Sequence, residues 1–162
     1  HYLKVIEEKT GVLISSAAYL GARHAGASDE VVARCSRIGD AVGMVFQIVD
    51  DIIDIYSASE ESGKTRGTDL REGVFTLPVL FALKEDSPAG EELRGLLTGP
   101  LTSDEDVARA LTLIELTSGR EQALEVVQQF TDKAFAELTS LPDGSVRSAL
   151  RSLTEYSISR VR

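Results

Sequence analysis

Residues 43–56 read GMVFQIVDDIIDIY, so Asp50, Asp51 and Asp54 stand within five positions of an otherwise apolar run. Carboxylates repel one another and are costly to bury, and this spacing calls for a counter-cation. At about 100° per residue, Gln47, Asp50, Asp51 and Asp54 fall within one arc of a helix. Extending the arc backwards collects Gly43, Asp40 and Ser36, while the opposite side carries Val42, Val45, Val49, Ile52 and Ile53. An arbitrary acidic stripe is a solvated face. Here large apolar residues flank the stripe on both borders, acids stand at i and i+4, and Gly43 costs a helix interior about 1 kcal/mol. That glycine implies a need for space one turn above Gln47. A hard divalent cation such as Mg²⁺, held by one or two carboxylates with waters and phosphate oxygens, resolves the repulsion. The chemistry read from these residues is a carboxylate–Mg²⁺–phosphate site on the wall of a helical cavity.

Cations are available to meet such a site. Lys9 has apolar residues at i±3 and i±4, namely Val5, Ile6, Val12 and Leu13. A helix lysine is normally solvated, whereas one centred on an apolar patch snorkels or reaches an anion in a cleft. Thr10 adds a hydroxyl donor beside it. The segment ESGKTRGTD (61–69) sets Lys64 and Arg66 between glycines. Its bland reading is a mobile surface loop, and its functional reading is a lid that brings a cation over a phosphate. Its GKT resembles the end of a phosphate-binding loop. No upstream glycine stands at the required spacing and no strand precedes it, which excludes a nucleotide-binding fold.

The elements that must position these groups all read at helical period, and no stretch alternates convincingly as a strand, so the fold class is all-α. The spacing predicts a first helix from about Tyr2 to Arg23, stopping near Gly26. Ser28 is the expected N-cap of a long helix running to about Tyr56, with Asp29 and Glu30 in its first turn. A polar stretch over 57–68 follows. Further helices are expected from about Thr76 with Pro78 in the first turn, from Ser87-Pro88, from Ser103 with Asp106, from Ser118 with Glu121, and after Pro142-Asp143-Gly144.

Composition bounds the function. The 162 residues suffice for one domain, or for half of a larger one, and 43% hydrophobic content fits a folded protein. Asp plus Glu is 26 against 17 Lys plus Arg, a net charge of −9, which argues against a nucleic-acid binder. Cys35 is the single cysteine, so no internal disulfide can form, and a reducing, cytoplasmic compartment fits. No apolar run approaches the ~20 residues of a membrane span. The chain opens already in helical rhythm, without a start signal, which implies a downstream piece of a longer protein.

Three segments in order carry a family resemblance. GMVFQIVDDIIDI resembles the second aspartate-rich motif of trans-prenyl diphosphate synthases, G-x-x-F-Q-x-x-D-D-x-x-D. YLKVIEEKTGVLI resembles the Lys-Thr helix upstream of it, and GKTRGTDLREGVFTLPVL the G-K-x-x-G-x-D-L-x-E-G-K-x-T-L-P segment downstream. Together they cover roughly residues 2–83. The resemblance implies a helical bundle of the isoprenoid-synthase type, of which residues 1–162 are the C-terminal half. Residues 1–83 would be the motif-bearing helices and lid loop, and 84–162 the C-terminal helices. It implies condensation of isopentenyl diphosphate with an allylic diphosphate, in a dimer. Mg²⁺ is held between two aspartate-rich motifs, and an allylic carbocation is attacked by the isopentenyl double bond. Carried onto this sequence, Asp50 and Asp54 are metal ligands, directly or through water, with Asp51 supporting them. Lys9 and Lys64 contact the allylic diphosphate, Thr10 and Gln47 lie nearby, and Phe46 lines the hydrocarbon region.

The sequence also departs from the family pattern. Val74 stands where many members have Lys and Phe75 where many have Pro, and no first aspartate-rich motif is present. These residues alone are therefore expected to lack turnover. The surfaces of the first two helices that would face the cavity are expected to be exposed. The alternative reading is a non-catalytic partner subunit in a hetero-oligomeric synthase. A carboxylate-bridged di-metal bundle wants Glu-x-x-His pairs, which His1 and His24 do not supply. A purely structural helical module leaves the lysine and the aspartate stripe unexplained.

Overall fold

A computed structural model of the chain describes residues 1–57 and 65–161. Among the described residues there is no strand, as the helical periodicity predicts. The helices are α1 (Tyr2–Ile6), a π-helical segment (Glu7–Gly11), α2 (Val12–His24), α3 (Asp29–Tyr56), α4 (Thr68–Glu72), α5 (Leu77–Lys84), α6 (Pro88–Leu96), α7 (Asp104–Glu115), α8 (Gly119–Thr139) and α9 (Ser145–Ser159). None of them is long and apolar enough to cross a membrane. The chain forms two compact units, His1–Val49 with Val126–Arg162, and Asp50–Glu125.

In the first unit, Cys35, Ile38, Ala41 and Val42 of α3 pack with Ala134 and Leu138 of α8 and with Leu141. Burial pushes the Cys35 thiol up, which suits it to packing rather than to reaction. Arg34 and Arg37 of α3 both reach Glu137 of α8, at 3.1 Å and 2.7 Å, and hold its carboxyl below the usual range.

The N-terminal helices meet α3 along a seam of small residues. A Cβ on Gly43 would lie 2.8 Å from the Cα of Gly11, and one on Gly39 would lie 2.8 Å from the Ile14 carbonyl oxygen and the Ser15 Cα. The Ser15 hydroxyl donates to the Ser36 carbonyl at 2.9 Å. No residue of α2 is buried, and Val12, Leu13, Tyr19 and Leu20 are exposed, as the sequence leads one to expect.

One expectation changes here. The single helix predicted over Tyr2–Arg23 contains a π-helical turn over Glu7–Gly11, the segment that carries Lys9 and Thr10. The wider turn accommodates one extra residue in the helix, and Gly11 at its end lets the backbone press against Gly43.

In the second unit, Leu70, Val79, Ala82, Leu93, Val107, Ala110 and Ile114 build the core around Ile55. The predicted caps hold the helices in place. The Ser87 hydroxyl accepts the Gly90 N–H at 3.2 Å with Pro88 in the first turn, and the Ser103 hydroxyl accepts the Asp106 N–H at 3.2 Å. The capping box expected at Ser118 and Glu121 is replaced by side-chain bonds, in which the Ser118 hydroxyl donates to Glu85 at 2.7 Å and accepts from the Gln122 side-chain amide at 2.8 Å. The five-residue α4 is an element the sequence did not announce. It begins after Gly67, whose φ of 72° is left-handed and whose α-carbon faces Val107 too closely for a side chain.

Candidate functional site

The acidic stripe of α3 does not read as a solvated face. Asp51 is 5% exposed and Asp54 8%, while Asp50 is half-buried. Asp50 and Asp54 line a pocket of about 280 Å³ together with Thr65, Thr68 and Asp69. Asp54 also takes hold of the chain that returns to it, because its carboxylate accepts the N–H groups of Thr68 and Asp69, both at 3.2 Å.

Asp69 is the member of this group that sequence reasoning missed. Burial, then the nearby charges of Asp54, Asp51, Glu72 and Asp50, push its pKa up to about 6. The available signal was the D-L step inside the motif already singled out, directly after a glycine that fixes a left-handed turn. Four carboxylates are therefore gathered at one end of α3 and the start of α4, where burial first and mutual repulsion second perturb one of them.

The donor set fits a hard divalent cation. Its oxygens are carboxylates and threonine hydroxyls, and its accumulated negative charge is what such an ion offsets. Among the described residues, no group of three or more Asp, Glu, His or Cys side chains is placed to hold a metal ion by itself. An ion here would complete its shell with waters or ligand oxygens, as Mg²⁺ does.

The other expected residues belong to the first unit. Thr10 donates its hydroxyl to the Gln47 side-chain oxygen at 2.8 Å, so the π-helical turn and α3 are joined at the two positions singled out as substrate contacts. Lys9 is exposed, and of its apolar neighbours only Ile6 is buried, so the lysine stands on an open apolar surface. Phe46 is 43% exposed, and the Arg160 guanidinium lies over its ring at 5.5 Å from the centroid. Lys64 lies outside the described residues.

Two expectations are corrected. The sequence implies that Gly43 leaves space above the aspartates. That space is filled by the Gly11 backbone, so the glycine serves a close approach of two main chains. Arg66 stands beside Lys64 in the segment whose functional reading is a lid that brings a cation over a phosphate. Its guanidinium instead donates to the Ile55 carbonyl at 3.0 Å and 2.7 Å and pairs with Glu115, which caps the C-terminal end of α3.

Comparison with known proteins places these features. Residues 1–114 match the polyprenyl synthetase family. A nonaprenyl diphosphate synthase of Mycobacterium tuberculosis is 52% identical over 159 residues, which is 98% of this chain and 48% of that protein. Component 2 of the heptaprenyl diphosphate synthase of Geobacillus stearothermophilus is 38% identical over 157 residues, 96% of this chain and 48% of that protein. A crystal structure of geranylgeranyl pyrophosphate synthase from Corynebacterium glutamicum, complexed with calcium and isoprenyl diphosphate, superposes with a TM-score of 0.93 at 57% identity. It covers 99% of this chain and 50% of the solved one. The chain thus spans about half the length of the curated relatives it matches.

Proposed function

The chain belongs to the polyprenyl synthetase family, and from that premise we propose that it is the motif-bearing downstream half of a trans-prenyl diphosphate synthase. The reaction is condensation of isopentenyl diphosphate with an allylic diphosphate. We assign it to a Mg²⁺-dependent cytoplasmic dimer. The observation that carries the reading is the carboxylate group of Asp50, Asp51, Asp54 and Asp69, with two of its members buried and one pushed up to about 6.

Asp50 and Asp69 are the residues that would hold the cation, with Asp51 and Asp54 supporting them. When bound, Mg²⁺ supplies charge neutralisation for the departing diphosphate. The chain's own groups do the rest. The Lys9 ammonium pairs with diphosphate oxygens. Thr10, held by Gln47 at 2.8 Å, presents its hydroxyl at a fixed place in the π-helical turn. Phe46 offers an apolar ring to the hydrocarbon chain. Lys64 joins Lys9 as a diphosphate contact on the strength of its motif.

A second reading is favoured by one relative, since a protein 38% identical to this chain is component 2 of a heptaprenyl diphosphate synthase. In that case the chain works as one subunit of a hetero-oligomer.

The test is to assay the intact protein with isopentenyl diphosphate, an allylic diphosphate and Mg²⁺, alongside Asp50→Ala. The expected result is a lengthened allylic diphosphate. The variant is expected to turn over about 100-fold or more slowly, with thermal stability equal or higher because like-charge repulsion is relieved. No condensation product from the intact protein would leave the partner-subunit reading in its place.

A further inference from the structure

Asp54 holds the backbone of the returning segment at three points. Its main-chain carbonyl accepts the N–H of Gly67 at 2.9 Å. Its Oδ1 accepts the N–H of Thr68 and its Oδ2 that of Asp69, both at 3.2 Å. One residue at the end of α3 thus engages three successive amides of the segment that opens α4. Three amides in a row can converge on one residue because Gly67 is left-handed, at φ 72°. The next residue on, Leu70, is fully buried in the core and anchors the turn from the other side. Arg66, one residue before, is bound to the Ile55 carbonyl. The residue that this arrangement aims is Asp69, which lines the pocket with Asp50.

We propose that Asp54 is a positioning residue for the cation site rather than one of its direct ligands. It fixes the Gly67–Asp69 backbone and so sets where the Asp69 carboxylate stands beside Asp50. Charge-assisted hydrogen bonds to two backbone amides lock the orientation of the Asp54 carboxylate, so the directions of its remaining lone pairs are set by the chain and not by an ion. The cation itself rests on the function proposed above, while the hold on the amides stands on its own geometry.

Both parts can be read separately in the intact protein. Amide hydrogen exchange at Thr68 and Asp69 is measured without metal, with α6 amides as the control for folding. Binding of Mn²⁺, as a spectroscopic probe for a divalent ion, is measured by titration. Asp54→Asn keeps one acceptor oxygen and turns the other into a donor, so it is expected to speed exchange at one or both amides at least tenfold while α6 is unchanged, and to weaken Mn²⁺ binding less than Asp50→Asn does. Asp50→Asn is expected to weaken Mn²⁺ binding at least tenfold and to leave the two amides as protected as before. Unchanged exchange in Asp54→Asn overturns the proposal, and so does a loss of Mn²⁺ binding equal to that of Asp50→Asn. If the α6 control shows Asp54→Asn to be unfolded, Asp54→Glu, which displaces the oxygens by one methylene, takes its place with the same two readouts. Failure of the unmutated protein to bind Mn²⁺ would overturn the cation reading whatever the amides show.

Discussion

Gly43→Ala tests the seam that holds the π-helical turn against α3. The new Cβ would sit 2.8 Å from the Cα of Gly11, 3.4 Å from its nitrogen and 3.5 Å from its oxygen. Carbon atoms in contact prefer about 3.5–4.0 Å, and the obstacle is main chain, which no rotamer change can move aside. The two backbones must therefore part by several tenths of an ångström. Overpacking of this kind costs about 1–3 kcal/mol. Parting them also pulls Thr10, the residue before Gly11, away from Gln47, and a hydrogen bond of that type contributes about 1 kcal/mol. Against this, alanine is better than glycine in a helix interior by about 1 kcal/mol. The expected net destabilisation is about 2 kcal/mol, which for a chain of this size lowers Tm by about 4–8 °C. Gly21→Ala is the matched control. It lies within α2, where an added Cβ meets nothing within 4 Å, so it should gain up to about 1 kcal/mol. Urea unfolding and calorimetry of the two variants give the comparison. A Gly43→Ala protein as stable as Gly21→Ala would refute the close approach and the account of the seam with it.

Two further outcomes follow from the second unit. Asp69 has a folded pKa of about 6, above the 3.8 of an ordinary aspartate, so the folded state holds its proton more tightly than the unfolded one. Its stabilising contribution is present below about pH 4 and is lost as pH rises through about 6. Without divalent metal, Asp69→Asn should therefore be more stable than the parent at pH 7.5 by about 1 kcal/mol, allowing for its half-buried setting. The advantage should shrink at pH 4.5, and a urea-midpoint difference that does not change with pH would count against it. Arg66→Ala removes the cap on Ile55 and the pair with Glu115, and should cost about 1–3 kcal/mol of stability. Assayed in the intact protein, it should leave KM for both diphosphates within about threefold. A large rise in KM with unchanged stability would restore Arg66 to the lid.

Local signals in this sequence are legible wherever local physics decides the outcome. Ser87 and Ser103 cap their helices because each hydroxyl needs only an amide three residues on. The acid stripe of α3 is readable because a 28-residue helix repeats its period long enough to define a face. The π-helical turn is not readable in the same way. One inserted residue rotates the following face by about 100°, and Val5, Ile6, Val12 and Leu13 supply apolar side chains to either phase.

Gly43 shows a different limit. The sequence reveals a missing side chain, but what occupies the gap comes from Gly11, far away along the chain. The same limit separates the acids from one another. Periodicity makes Asp50 and Asp54 equivalent, one helical turn apart. The returning segment distinguishes them, laying the amides of Gly67, Thr68 and Asp69 on Asp54 and bringing the Asp69 carboxylate to the pocket that both line. A stripe of like charges is therefore legible in the helix period, while the contacts that set one of its acids against the main chain come from a segment more than ten residues downstream.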